Sequence, residues 1–211
     1  MKADRPKQYL PLINKTVIEH TLETLLAHST LSCILVGVSP GDQYWEQLPT
    51  SLKSRVVRYD GGQERVDTVL CGLESIADKA RPDDWVLVHD VARPCIATDD
   101  ISQLIVELEG HSIGGILGVP VADTVKKVVD GCIVDTVDRS SLWRAFTPQM
   151  FRYEPLLRSL KNGLKNGLVI TDEASAIEAE GLTPIMIQGS ADNIKITQPG
   201  DLELAEIYLS R

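Results

Sequence analysis

The segment His89-Asp90-Val91-Ala92-Arg93-Pro94 is where residue types and spacing point most directly to chemistry. Asp90 follows the apolar run Trp85-Val86-Leu87-Val88 and so closes a buried strand. A carboxylate at the carboxyl end of such a strand is positioned to hold Mg²⁺ in a phosphate site. Arg93, three residues on, can grip a phosphate or brace the loop. A strand-ending cap with a structural salt bridge would account for the same residues, and His89 reads as a packed residue rather than a base. Asp60-Gly61-Gly62-Gln63-Glu64-Arg65 stands between a strand and a helix. Glycines there let a ligand approach the backbone, and a helix N-terminus favours anions; an ordinary tight turn fits equally. Asp192-Asn193-Ile194-Lys195 sets an acid and a cation about a buried-looking isoleucine. Lys7, Arg139, Thr147 and Thr171 are single polar or cationic groups near element ends, each weak on its own.

These groups need rigid elements to hold them. Thr16-Val17-Ile18-Glu19 reads as a capping box, and Ile18, Leu22, Leu25 and Leu26 follow with helical spacing. Residues 33–39 form a continuous apolar run that suits a strand buried on both faces. Val56, Val57 and Tyr59 predict a shorter strand; Val66, Val69, Leu70, Leu73 and Ile76 a helix; 85–90 a buried strand; 101–108 a helix; and 113–119 a strand. The alternation predicts an α/β domain with a Rossmann-like, mostly parallel sheet and helices on both faces, whose ligands bind beyond the carboxyl ends of the strands. Two β-prone runs, 124–129 and 132–137, flank Asp130-Gly131, a strong hairpin signal. A two-stranded hairpin is marginal alone, so 121–137 is expected to be an arm packed on a second subunit. Further on, Leu156, Leu157 and Leu160 fit a helix, Thr171 an N-cap, Gly181 a helix-ending residue, 183–187 a strand and 199–209 a last helix. No strand precedes the first helix, although a doubly wound sheet normally begins with one.

Composition narrows the function classes. Of 211 residues, 43% are hydrophobic and 24% charged, which excludes general disorder and fits one domain over 1–211. A net charge of −9 argues against a chain that coats nucleic acid or an anionic membrane, while leaving room for a local anion site. Cys33, Cys71, Cys95 and Cys132 lack metal-ligand spacing and are expected as buried, reduced thiols. With no apolar leader and no run of about 18 apolar residues, a cytoplasmic protein is expected. No G-x-G-x-x-G follows a strand, which disfavours a nicotinamide dehydrogenase.

Taken together and in order, Pro6-Lys7-Gln8-Tyr9-Leu10, Asp60-Gly61-Gly62 with Arg65, His89-Asp90-Val91-Ala92-Arg93-Pro94, Thr147-Pro148-Gln149, Thr171-Asp172-Glu173-Ala174-Ser175 and Asp192-Asn193-Ile194-Lys195-Ile196-Thr197 resemble the 2-C-methyl-D-erythritol 4-phosphate cytidylyltransferases. The resemblance spans essentially the whole chain, arm included. It implies cytidylyl transfer from CTP to the sugar phosphate with release of pyrophosphate. Lys7 and Lys195 would stabilise charge at the α-phosphate, and Asp90 would hold Mg²⁺. Gly61, Gly62, Arg65 and Thr68 would form the cytosine wall. Arg93, Thr124, Arg139, Thr147 and Thr171 would bind methylerythritol phosphate, with Thr124 and Arg139 reaching it from the other subunit of a homodimer. A transferase for another polyol phosphate, such as ribitol 5-phosphate, would share the CTP motifs. The family pattern also opens with a strand and a glycine-rich loop, P-A-A-G-x-G-x-R-M, and Met1 resembles its last residue. The chain as given is therefore expected to bind CTP more weakly than one carrying that loop, and a catalytically impaired nucleotide-binding module is the remaining alternative.

Overall fold

The structure, a computed structural model, describes residues 5–211; the Met1 expectation lies outside the described residues. Contrary to the expectation that no strand precedes the first helix, the chain enters through the short hairpin β1 (Pro11–Leu12) and β2 (Lys15–Thr16), then α1 (Val17–Ala27). The expected capping box is there: the Glu19 carboxylate accepts from the Thr16 N–H at 2.7 Å and from its hydroxyl at 2.6 Å. Next come β3 (Leu35–Val38), α2 (Thr50–Lys53), β4 (Val57–Asp60), α3 (Arg65–Glu74), β5 (Trp85–Val88), α4 (Thr98–Leu108) and β6 (Gly114–Pro120). The arm is β7 (Val125–Val129) and β8 (Cys132–Val137). The chain closes with β9 (Trp143–Arg152), α5 (Tyr153–Lys165), α6 (Glu173–Ala179), β10 (Ile185–Gln188) and α7 (Gly200–Leu209).

Four strands form one sheet in the order β10-β6-β9-β5. Side chains alternate across it as the pleat requires. Leu87, Leu117 and Met150 meet Leu25, Ile101, Leu104 and Leu108 on one face. Val86, Ile116 and Phe151 meet Leu73, Leu156, Leu160 and Ile177 on the other. Helices therefore cover both faces, and the α/β class stands.

The strand directions differ from expectation. β6 and β10 are parallel, as are β3 and β4, but β9 lies between β6 and β5 and runs antiparallel to both. The sequence conceals β9 because residues 146–151 are consecutively buried, which removes the polar–apolar alternation of a half-exposed strand. Pro148 also argues against a central strand, having no N–H for the ladder. The structure accommodates it in a bulge: Ile116 pairs with Gln149 and Gly118 with Ala145, so four residue steps on β9 oppose two on β6.

Three smaller expectations are corrected. Of the run 33–39, only Val38 is buried, because β3 pairs with β4 in a separate two-stranded sheet. Cys33, ahead of that strand, and Cys132, on the arm, are exposed rather than buried; Cys71 and Cys95 are half-buried, and all four are free. The N-cap of α6 is Asp172, one residue after Thr171; its carboxylate accepts from the Ser175 N–H at 3.0 Å. Gly181, with φ of 74°, ends that helix as expected: its N–H reaches Glu178 O at 2.9 Å, and the Leu182 N–H reaches Ile177 O at 3.3 Å.

The arm is an antiparallel hairpin closed by the Val129–Cys132 pair. Asp130 and Gly131 have φ of 50° and 79°, the two positive values of a type I′ turn. Val128, Val129, Ile133 and Val134 are all at least half exposed. Among the described residues, the two strands share no ladder with the main sheet.

Candidate active site

The register of β5 against β9 builds the site. Val88 pairs with Gln149, so the chain leaving β5 at Asp90 runs beside Thr147. The Asp90 N–H donates to Thr147 Oγ1 at 3.0 Å, and the same oxygen lies 3.1 Å from His89 Nδ1. His89 Nε2 is 3.2 Å from the Arg93 carbonyl. One assignment satisfies all three contacts: the Thr147 hydroxyl donates to Nδ1, and Nε2 carries the proton to the carbonyl. A neutral His89 thus ties Thr147 to the loop that presents Asp90 and Arg93. Burial pushes its pKa down to about 4, against the pull of the Arg93 carbonyl.

A second lacing brings in the loop before α7. The Ile196 N–H donates to Ala92 O at 2.8 Å, which sets Lys195 beside Asp90. Asn193 Nδ2 donates to Thr147 O at 2.8 Å, and Arg93 Nη1 donates to Asn193 O at 2.8 Å. The Arg93 guanidinium stacks 4.8 Å from the Phe146 ring centre. Arg93 is 8% exposed, and its Nε has no hydrogen-bond partner. A buried donor of this kind normally finds an acceptor.

Asp90 is the electrostatic centre. Lys195 Nζ lies 2.6 Å from its Oδ2 and Arg65 Nε 2.8 Å from its Oδ1. Burial opposes its ionisation, yet Arg65 and Lys195 together hold the carboxyl well below the usual carboxylate range. The two terminal nitrogens of Arg65 meet both oxygens of Glu173 at 2.7 and 2.9 Å. Burial lowers the hold of Arg65 on its proton, but the two acids more than offset this, so the guanidinium stays charged. Lys7, in a short turn from Lys7 to Tyr9, lies within electrostatic reach; burial and then the Lys195 charge depress its pKa.

These groups surround a cavity of about 200 Å³, whose lining includes Arg65, Asp90, Arg93, Thr147, Thr171 and Lys195. The structure therefore unites six residues that the sequence scatters over 130 positions, with Lys7 close by. Gly61, Gly62 and Thr68 form a separate wall at the end of β4, where the Gly62 N–H donates to Thr68 Oγ1 at 3.1 Å. A Cβ on Gly62 would come within 2.2 Å of Asp67 Cβ, so only glycine fits this close turn. Arg65 stands apart from that wall in its contacts, bound to Asp90 and Glu173. Thr124 and Arg139 are exposed at the base of the arm, outside the cavity lining, and Arg139 Nη1 donates to Ala122 O.

Glu173 and Gln149, each 1% exposed, stand in the motifs quoted from the sequence but carry no role there. Gln149 Nε2 donates to Asp172 Oδ2 at 2.8 Å and its Oε1 accepts from the Ala174 N–H at 3.0 Å, fixing the start of α6 on β9. A signal for Glu173 existed: residues 173, 176 and 177 share one helix face, and Ala176 and Ile177 are core. Gln149 left no signal in spacing or periodicity, because its strand was concealed. Among the described residues there is no group of three or more His, Cys, Asp or Glu that could hold a metal, and no helix long and apolar enough to cross a membrane.

Comparison with known proteins gives a consistent result. The family model for 2-C-methyl-D-erythritol 4-phosphate cytidylyltransferase (IspD) matches residues 1–211. The enzyme of that name from Vibrio atlanticus is 51% identical over 211 residues, all of this chain and 90% of the relative. That from Vibrio cholerae is 53% identical over 212 aligned positions, covering all of this chain and 91% of the relative. A solved 4-diphosphocytidyl-2C-methyl-D-erythritol synthase superimposes with a TM-score of 0.89 at 42% identity, covering 97% of this chain and 95% of that one. The Francisella tularensis cytidylyltransferase gives 0.87 at 37% identity, covering 97% and 94%.

The state of His89 generates a pH prediction. Its folded pKa, about 4, lies below the ordinary 6.5, so the unfolded chain takes up the proton first as pH falls. His89 therefore contributes stability that is complete above about pH 6.5 and is lost as pH falls towards 4, at no more than about 1.4 kcal/mol per pH unit. Urea denaturation between pH 5 and 7.5 should show this slope in the wild type and lose it in His89→Asn. Glu173, whose buried carboxyl is raised and acts in the opposite sense, is common to both chains and cancels in the comparison. Parallel pH curves for the two proteins would contradict a neutral, bridging His89.

Proposed function

Because the chain belongs to the 2-C-methyl-D-erythritol 4-phosphate cytidylyltransferase family, we propose that it transfers the cytidylyl group of CTP to 2-C-methyl-D-erythritol 4-phosphate. The observation that carries this reading beyond family membership is the cavity bounded by Arg65, Asp90, Arg93, Thr147, Thr171 and Lys195, rich in cations and lacking any activated nucleophile. An oxygen of the acceptor's phosphate attacks the α-phosphorus of CTP. The new P–O bond forms as the bond to the β-phosphate breaks, and pyrophosphate leaves with the electron pair. No covalent enzyme intermediate is needed, so positioning and electrostatic stabilisation supply the rate.

Each residue has a task in this account. Lys7 and Lys195 neutralise the charge that builds on the α-phosphoryl oxygens. Lys195 is already oriented by Asp90, and partial burial makes Lys7 a more weakly hydrated cation. Arg93, with its Nε turned to no protein acceptor, grips the acceptor phosphate beside Thr147 and Thr171. Gly61, Gly62 and Thr68 receive the cytosine. Arg65 is assigned to Asp90 rather than to the base.

The donor set also fits Mg²⁺ of a particular kind. Asp90 is a single carboxylate that Arg65 and Lys195 hold in its charged form, and Mg²⁺ is commonly bound by one or two carboxylates together with substrate phosphates. Asp90 would hold such an ion arriving with the nucleotide, and the ion when bound would neutralise phosphoryl oxygens as a Lewis acid. The arm supports a homodimer: four half-exposed aliphatic side chains on a two-stranded ribbon call for a covering surface. A two-fold arrangement would carry Thr124 and Arg139 to the partner's acceptor site. Four unpaired thiols and the absence, among the described residues, of a membrane-crossing helix support a cytoplasmic location.

Two sets of expected outcomes test this, the first on the reaction and the second on the assembly. Pyrophosphate release should require both CTP and methylerythritol phosphate, with ribitol 5-phosphate a poor substitute. Lys7→Ala and Lys195→Ala should each lower kcat by about 10²-fold or more, the scale of losing one transition-state donor. Equal turnover with ribitol 5-phosphate would reassign the acceptor, and wild-type turnover in either variant would remove that lysine from the mechanism. Second, the chain should sediment as a dimer at micromolar concentration. Replacing 122–136 with a Gly-Ser bridge should give a monomer with a raised KM for the acceptor; an unchanged KM would mean that the site is complete within one subunit.

A further inference from the structure

Arg65 lines the cavity, yet its guanidinium is not turned to it as a free phosphate clamp. Its terminal nitrogens form a fork on Glu173, at 2.7 and 2.9 Å, and its Nε is given to Asp90 at 2.8 Å. Glu173 itself lies outside the cavity lining and is 1% exposed. An acid in the first turn of a helix gains from the helix dipole without being buried, so the dipole alone does not account for this placement. The flanking residues are anchored as well. Asp172 and Ala174 both bond the buried Gln149 side chain on β9, the strand whose Thr147 receives the Asp90 N–H. The start of α6, the guanidinium and the Asp90 loop therefore form one closed circuit through β9.

We propose that Glu173 is a positioning residue: it locks the Arg65 fork so that Nε holds Asp90 in register, and it withholds the Arg65 charge from the bound phosphates. This rests on the cytidylyl-transfer reading and deepens it by dividing the cations of the site into two groups. Arg65 is a structural cation whose charge Glu173 neutralises. Lys7, Arg93 and Lys195 are the cations that meet phosphoryl oxygens. Glu173 touches neither substrate nor reacting atoms and acts only through Arg65. A bidentate fork needs both oxygens of an ionised carboxylate, so an amide of the same shape cannot replace it.

The test is Glu173→Gln in the full chain. Loss of the fork lets Arg65 leave Asp90 and turn to the anionic substrates. Turnover should fall by about 10- to 100-fold, as for the loss of a group that orients a directly acting ligand, while the KM for CTP stays level or falls because the site gains a positive charge. A purely structural role would instead raise KM or leave kcat intact. Glu173→Asp, which keeps the charge but shortens the reach, should restore part of kcat. Glu173→Gln combined with Arg65→Lys should be no worse than Arg65→Lys alone, since both act through one contact. A kcat within twofold of wild type, a raised KM at unchanged kcat, or additive losses would each overturn the proposal. The Arg65 Nε–H resonance supplies a readout that needs no turnover. It should be slow to exchange and shifted by its ion pair in the wild type, and should lose both features in Glu173→Gln. An unchanged resonance would also overturn the proposal. A wild type without CTP-dependent pyrophosphate release would count against the transferase reading, while the resonance would still decide the role of Glu173.

Discussion

The carboxylate of Asp90, held between Arg65 and Lys195, is the contact on which the arrangement of the site depends. It joins a side chain from the start of α3 to one from the loop before α7, far apart in the chain and on different elements. Its own backbone N–H is held by Thr147 of β9, so Asp90 is fixed at both ends. The antiparallel insertion of β9 between β5 and β6 makes this possible. It carries Thr147 and Gln149 along the ends of the neighbouring strands and ties each to a different loop.

The energetics of the cluster are those of a functional site rather than a stabilising one. Burying ion pairs incurs desolvation that the mutual attraction seldom exceeds by much. Here burial raises Glu173 and opposes the ionisation of Asp90, while Arg65 draws both acids towards the charged form and Lys195 does the same for Asp90. In many proteins apolar residues of similar size replace such buried ion pairs at no loss of stability. What they could not do is fix the direction of two carboxylates and two cations before a highly charged substrate arrives. Preorganised charge of this kind lowers a barrier because it does not have to reorganise during the reaction.

The sequence made some of this legible for definable reasons. The Thr16–Glu19 capping box, the Asp130-Gly131 turn and the Gly181 helix end follow from local chemistry, and each stands where local rules put it. Asp90 was legible because an apolar run ending in an acid marks a strand end. β9 was not legible: burial on both faces erased its alternation, and Pro148 sits in a bulge that only its partner strand explains. With β9 went the mixed strand direction, the role of Gln149 and the reason Arg65 turns from the glycine wall to Asp90. Exposure of Cys33 was missed for a related reason, since an apolar run does not tell how many strands lie beside it. The resemblance implied roles for residues such as Lys195 and Thr171 that spacing alone left weak, and the family match over the whole chain bears out the resemblance itself.

The most direct measurement is the steady-state rate of pyrophosphate release from CTP and methylerythritol phosphate by Asp90→Asn. The amide keeps the shape of the side chain and removes the charge that orients Lys195 and engages Arg65. The account predicts a folded protein whose kcat has fallen by about 10²-fold or more. A folded Asp90→Asn variant with turnover near that of the wild type would contradict it.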